Sequence, residues 1–207
     1  MTQNPTEYPP EPWNLAGQAY ATTWRVPVDA LPALPGGLDP VVVAGRAIVV
    51  TAWLDYQPPG QLSYHELLAT VAVRNGTRPT GSITGIWVDS EVSLAGGREL
   101  WGIPKDLAAF DFTHGRTFTA AASLAGGWIA TAAFTRRAGL PFAPPTAFTI
   151  AQELSGALKY TPVRSTARPH LASASWNLNP DGPLGFLHGR RPGPSAHLAD
   201  FRLTFGE

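Results

Sequence analysis

The chain has 207 residues with 15 Lys plus Arg against 15 Asp plus Glu, a balance that leaves no electrostatic footprint for nucleic acid or an anionic membrane surface. It contains no cysteine, which excludes disulfides, thiolate catalysis and cysteine-ligated zinc or iron–sulfur centres. The length predicts one domain with a real core, and 21 Gly with 21 Pro predict many short elements joined by turns.

Residues 1–12 lack the basic and apolar regions of a secretory signal. They read as a mobile tail ahead of a single domain at 13–207, with the cytoplasm as the expected location. Residues 31–38, rich in Pro and Gly, read as a surface connection. β-branched and aromatic enrichment predicts strands at 41–55, 62–74 and 82–88. The apolar stretch from Pro40 to Leu54 is interrupted by Arg46 and is shorter than the roughly 20 residues of a spanning helix. Within 62–74, Tyr64, Glu66, Leu68, Thr70 and Ala72 share one face, and the small members of that row leave room for a cavity beside Glu66. A short helix is predicted at 90–95, capped by Asp89 or Ser90 and ended by Gly96-Gly97. From Leu100 to Leu107 an extended alternation sets Trp101, Ile103 and Lys105 on one face and Asp106 on the other, with Pro104 holding Ile103 extended. Segments 117–125 and 128–135 flank Gly126-Gly127 and predict a hairpin. Further strands are predicted at 148–153 and 198–205. So many strands expose long edges unless the sheet closes on itself. The predicted fold is therefore mainly β (α+β), a curled or closed, mostly antiparallel β-barrel or cone with a few short helices.

Lys105 and Lys159 are the only lysines among the fifteen basic residues. In a composition this rich in arginine, a lysine needed only for charge drifts readily to arginine, so a retained one points to chemistry that arginine lacks. Lysine can shed its proton when desolvated and attack a carbonyl carbon to form an imine. Its neighbours Trp101 and Ile103 supply apolar cover, which disfavours the ammonium and raises the fraction of nucleophilic amine. Lys159 has no such surroundings and reads as a surface residue.

The block Val88-Asp89, Gly97-Arg98-Glu99, Pro104-Lys105 and Leu107 resembles the signature of the acetoacetate decarboxylase superfamily. Tyr64-His65-Glu66 matches a second block some forty residues earlier, and Trp24-Arg25 with Ala30-Leu31 behave like the opening segment. The resemblance runs over roughly residues 15–135. It implies a lysine Schiff base with a small β-keto or α-keto acid, followed by decarboxylation or related aldolase-dehydratase chemistry. Lys105 would be the nucleophile and Glu66 the acid or base, while Trp87, Trp101 and Ile103 would line the pocket. The imine is itself the electron sink, so no cofactor is implied, and the partner is a small oxo acid or ketone. Three positions depart from the family pattern: Asp106 stands where a second lysine is expected, Gly17 where a carboxylate-binding arginine is expected, and Thr51 near a second pocket glutamate. These losses motivate a rival reading, a non-catalytic small-ligand-binding barrel of the same fold.

The five histidines, His65, His114, His170, His188 and His197, lack the close spacings of metal ligands, so no metal is expected. No Gly-x-Ser-x-Gly elbow or phosphate loop is present. Arg98 and Glu99 read as packing and ion-pairing residues. The resemblance and seven tryptophans predict a homo-oligomer, with neither nucleic acid nor membrane as partner.

Overall fold

The structure, a computed structural model, describes residues 6–207. Its strands are β1 (Trp13–Pro27), β2 (Val42–Val43), β3 (Arg46–Tyr56), β4 (Tyr64–Val73), β5 (Thr80–Val88), β6 (Lys105–Leu107), β7 (Ala109–Thr113), β8 (Thr117–Leu124), β9 (Gly127–Gly139), β10 (Pro145–Leu154), β11 (Ala157–Leu178) and β12 (Ser195–Phe205). One α-helix, α1 (Glu91–Trp101), connects β5 to β6. The pairings are antiparallel except β5–β10 and β5–β6. The predicted mainly β, curled sheet is present: β10-β5-β4-β3-β1-β12-β11 follow one another, and β11 returns to β10, so the sheet curls into a ring. The distal half of β11 carries β9, β8 and β7 onward as a second layer.

Alternation along the shared strands divides the interior in two. One face of β1, β3, β4 and β5 sends Trp24, Trp53, Leu67 and Trp87 against Phe118 and Phe134 of the second layer. The opposite face looks into the ring, where Leu15, Leu54, Tyr64 and Ile86 pack with Trp101 and Ile103. Most tryptophans therefore serve the cores. Trp128 alone among them is exposed, at 37%, so tryptophans do not supply the surface from which self-association was expected.

Several elements differ from their sequence expectation. The strand predicted over 41–55 is broken by a tight turn at Ala44 and Gly45, both with positive φ, separating β2 from β3. α1 runs through Gly96-Gly97 to Trp101 and ends at Gly102, which holds a left-handed conformation at φ 66. A Cβ at Gly102 would lie 2.0 Å from the Glu153 carbonyl oxygen, so only glycine fits there. The predicted hairpin joins β8 to β9, but its loop is Ala125-Gly126, since Leu124 already pairs with Gly127. β1 and β11 carried no strand prediction because small and polar residues dilute their pattern. β11 also contains Pro162 and Pro169. Of β11's three ladders, the one with β12 begins at Val163, just after Pro162, and the one with β9 begins at His170, just after Pro169, so each proline has one side on which a missing N–H is tolerated.

Of the segment expected to be a tail, residues 1–5 lie outside the described residues. The expectation does not hold for Tyr8 to Pro12. Trp13 Nε1 donates to the Pro9 carbonyl at 2.7 Å and Trp101 Nε1 donates to Glu11 Oε2 at 2.6 Å. Lys159, expected to be a free surface cation, is half-buried and donates to Glu11 Oε1 at 3.1 Å and to the Leu100 carbonyl at 2.8 Å. It thereby ties that segment to the last turn of α1. No helix among the described residues is long and apolar enough to cross a membrane.

Candidate active site

Lys105 opens β6, which lies parallel beside β5 with Lys105 opposite Ile86. Arg98 Nε donates to the Lys105 carbonyl at 2.8 Å, fixing the backbone that presents the lysine. The side chain crosses α1 at Gly97, where a Cβ would come within 2.7 Å of both Lys105 Cδ and Cε. A glycine here costs helix stability relative to alanine but lets the lysine stem lie against the helix backbone. The neighbouring Gly96 does the same for the ring of Trp13, 2.4 Å from where its Cβ would be. The two glycines are thus close-approach points inside the helix, not its terminus.

The stem ends in a buried polar cluster. Lys105 Nζ donates to Ser93 Oγ at 2.7 Å and to Glu66 Oε2 at 3.0 Å, with Tyr64 Oη at 3.5 Å. Tyr56 donates from its hydroxyl to Glu66 Oε1 at 3.2 Å. Lys105 is 4% exposed and Glu66 2%, so this ion pair is desolvated and depends on these hydrogen bonds to offset that cost. Burial, and after it the Glu66 carboxylate, hold the phenols of Tyr56 and Tyr64 well above the ordinary tyrosine range. Both therefore remain protonated hydroxyls. Ser93 occupies the first turn of α1, whose N-cap is Ser90. Nζ consequently sits against the first turn of α1.

The cluster forms one end of a cavity of about 400 Å³ inside the ring, walled mainly by aliphatic and aromatic side chains. Trp101 and Ile103 line it together with Lys105 and Glu66. Trp101 is held edge-on to Trp13 at 4.8 Å and to Phe205 at 4.6 Å between ring centroids. Trp87 does not line it. It lies on the other face of β5, within the core shared with Trp53 and Phe118, because odd-numbered residues near the end of that strand point away from the ring. Thr51 is likewise on the opposite face and accepts a hydrogen bond from Trp24 Nε1 at 2.9 Å. At Gly17 a Cβ would lie 2.0 Å from the Asp55 carbonyl oxygen, so the backbone there admits no side chain. Asp106 is exposed and faces Arg98 at 3.8 Å, away from Nζ.

Ser93, Tyr56 and Tyr64 were not singled out as functional from sequence. Two spacings carried the information. Ser93 and Gly97 lie four apart, on one helix face, and Tyr64 and Glu66 lie two apart on one strand face.

Comparison with known proteins places these features in context. The profile of the family described as acetoacetate decarboxylase matches residues 1–165. Acetoacetate decarboxylase 3 of Mesorhizobium japonicum is 30% identical over 118 residues, a match covering 54% of this chain and 43% of that protein. The chain thus aligns with less than half the length of that curated relative. Among solved structures, acetoacetate decarboxylase from Legionella pneumophila has a TM-score of 0.73 at 18% identity, covering 99% of this chain and 88% of that one. The enduracididine biosynthesis enzyme MppR complexed with pyruvate has a TM-score of 0.68 at 22% identity, covering 95% and 89%. These structural likenesses establish the fold.

Proposed function

Since the chain belongs to the acetoacetate decarboxylase family, we propose that it is a Schiff-base-forming lyase that joins Lys105 Nζ to the carbonyl carbon of a small oxo acid or ketone. The observation that carries this reading is the desolvated Lys105, 3.0 Å from Glu66 at the floor of an apolar cavity. Glu66 is the base that receives the proton Nζ must shed before attack. The free amine adds to the carbonyl carbon, and the carbonyl oxygen leaves as water to give an iminium ion. With a 3-oxo acid, the bond to the carboxylate breaks, carbon dioxide departs, and its electron pair moves onto the iminium nitrogen as an enamine. The proton first taken from Nζ departs with the carbonyl oxygen as water, so the enamine carbon takes a proton that Glu66 relays from solvent, and water hydrolyses the imine to return the ketone and the lysine. With pyruvate, loss of a methyl proton gives an enamine that can condense with an aldehyde. The pyruvate complex of MppR and the relatives named as decarboxylases support the two routes as alternatives within one chemistry. Ser93 and the two tyrosine hydroxyls orient the substrate's oxygen atoms, a task that Trp87 cannot share from its side of the sheet.

The test is mass spectrometry after borohydride reduction with acetoacetate, and separately with pyruvate, using Lys105→Ala as control. A reduced adduct on Lys105 is expected, and carbon dioxide release from acetoacetate separates decarboxylation from condensation. A folded protein that gives no adduct and no turnover would support the non-catalytic binding reading instead. We place this activity in a single-domain, cytoplasmic homo-oligomer. Exposed Leu140 and Phe142 just beyond β9, with Leu171 on the adjoining stretch of β11, support self-association.

A further inference from the structure

The cavity above Lys105 is larger and more apolar than a four-carbon oxo acid requires. Along β4, Glu66, Leu68, Thr70 and Ala72 all face it, so it extends roughly 20 Å from the carboxylate, six residues at about 3.3 Å each. Burial relaxes in the same direction: Glu66 is buried, Leu68, Thr70 and Ala72 are half-buried, and Thr146 and Phe148 at the far rim are exposed. The opening therefore lies at the end away from Lys105. A substrate reaches the amine only by passing along the apolar wall.

Charge narrows the substrate further. Among the described residues, no arginine lines the cavity, and its only charged side chains are Lys105 and Glu66, which are paired with each other. A second carboxylate or a phosphate at the far end would lose its hydration with no cation in exchange. The closed backbone at Gly17 removes the position from which a family arginine would reach in. Small residues instead widen the slot, with Ala21 and Ala52 side by side across β1 and β3.

We propose that the substrate is a carbonyl compound with an extended apolar chain. Its polar atoms are confined to the end that meets Lys105, Ser93 and the two tyrosines, and its chain runs toward the Phe148 rim. The inference rests on Lys105 being the imine-forming group. Each methylene buried in the slot then tightens binding by about fourfold, until the chain outgrows the cavity.

The experiment uses the intact protein with 2-alkanones of four to twelve carbons. Two readouts are taken: borohydride trapping at Lys105, in which the imine carbon receives hydride to give a secondary amine, and calorimetric binding without borohydride. The expected result is an apparent affinity that rises about fourfold per methylene over several carbons and then levels off. Ala52→Leu should move the levelling point to shorter chains. Trapping at Lys105 with no dependence on chain length overturns the apolar-chain inference and leaves the imine reading standing. Chain-dependent binding with no adduct overturns the imine reading and leaves an apolar ligand in the slot. Neither adduct nor binding at any length overturns both.

Discussion

Gly97→Ala separates the positioning of Lys105 from the stability of the helix that positions it. The new methyl would lie 2.7 Å from Lys105 Cδ and Cε, about 1 Å inside ordinary carbon–carbon contact. The helix backbone is fixed on both sides by bonds from Gly102 N–H to the Arg98 carbonyl and from Ile103 N–H to the Gly97 carbonyl, each 3.0 Å. The lysine stem must therefore retreat, shifting Nζ by about 1 Å from its present seat on Ser93 while it stays paired with Glu66. An unbranched stem yields at the low end of overpacking costs, about 1 kcal/mol, and alanine regains about 1 kcal/mol of helix propensity. The melting temperature should stay within about 3 °C of wild type. A displacement of about 1 Å at the nucleophile should lower the rate of borohydride trapping by about 100-fold. Gly96→Ala is the mirror control. Its methyl meets the rigid ring of Trp13 at 2.4 Å, so about 2 kcal/mol of net destabilisation, or about 4–8 °C, is expected. Wild-type trapping by Gly97→Ala would refute the claim that this glycine exists to seat the lysine.

Lys105→Met should destabilise the protein by about 3–5 kcal/mol because it strands Glu66 in the interior, and Lys105→Met with Glu66→Leu should recover most of that loss; urea unfolding of the four proteins in the cycle measures it. His197 offers a pH test: burial, then the nearby positive groups His170, Arg136 and His114, lower its pKa from 6.5 to about 4, and its Nδ1 has no partner. The folded state thus resists a proton that the unfolded chain accepts. The stability linked to this group is intact above pH 6.5 and falls by up to about 3 kcal/mol as the pH drops toward 4. His197→Asn should flatten that part of the profile in denaturant titrations at each pH. Light scattering should give a mass above one chain, and Leu171→Asp should lower it if the exposed apolar cluster holds copies together.

The legible parts of this molecule were those whose causes are local. Alternation in 62–74 set Tyr64 and Glu66 on the face that carries Leu68, Thr70 and Ala72, and the scarcity of lysine drew attention to Lys105. What escaped was long-range. Extended alternation from Leu100 grouped Trp101, Ile103 and Lys105, and all three line the cavity, but Trp101 arrives there from the last turn of a helix. Gly96-Gly97 looked like a terminus because two glycines normally end a helix. Only contacts made in the folded chain, Trp13 against Gly96 and Lys105 against Gly97, explain why they interrupt none. Trp87 was assigned to the pocket by resemblance, whereas its strand parity puts it on the other face. β11 carried no local strand signal because small and polar residues dilute its pattern, and its pairing is set by β9, β10 and β12.

The same parity explains how the fold keeps an unfilled interior. On β1, β3 and β4 the face away from the cavity buries Trp24, Val49, Trp53, Leu67 and Val71 almost completely, worth about 1.5–3 kcal/mol each in removal from water. The ring-facing side is relieved of that duty and carries Ala19, Ala21, Ala52 and Ala72 at corresponding depths. If these alanines are small for the sake of a ligand, enlarging one should stabilise the empty protein. Ala52→Leu adds three carbons at about 0.8 kcal/mol each if fully buried, and about 1–2 kcal/mol at this half-buried position. That predicts a melting temperature higher by about 2–8 °C together with weaker capture of long-chain ketones. A lower melting temperature would mean that the wall is already packed to its limit, and that the small residues answer to strand packing instead of to a substrate.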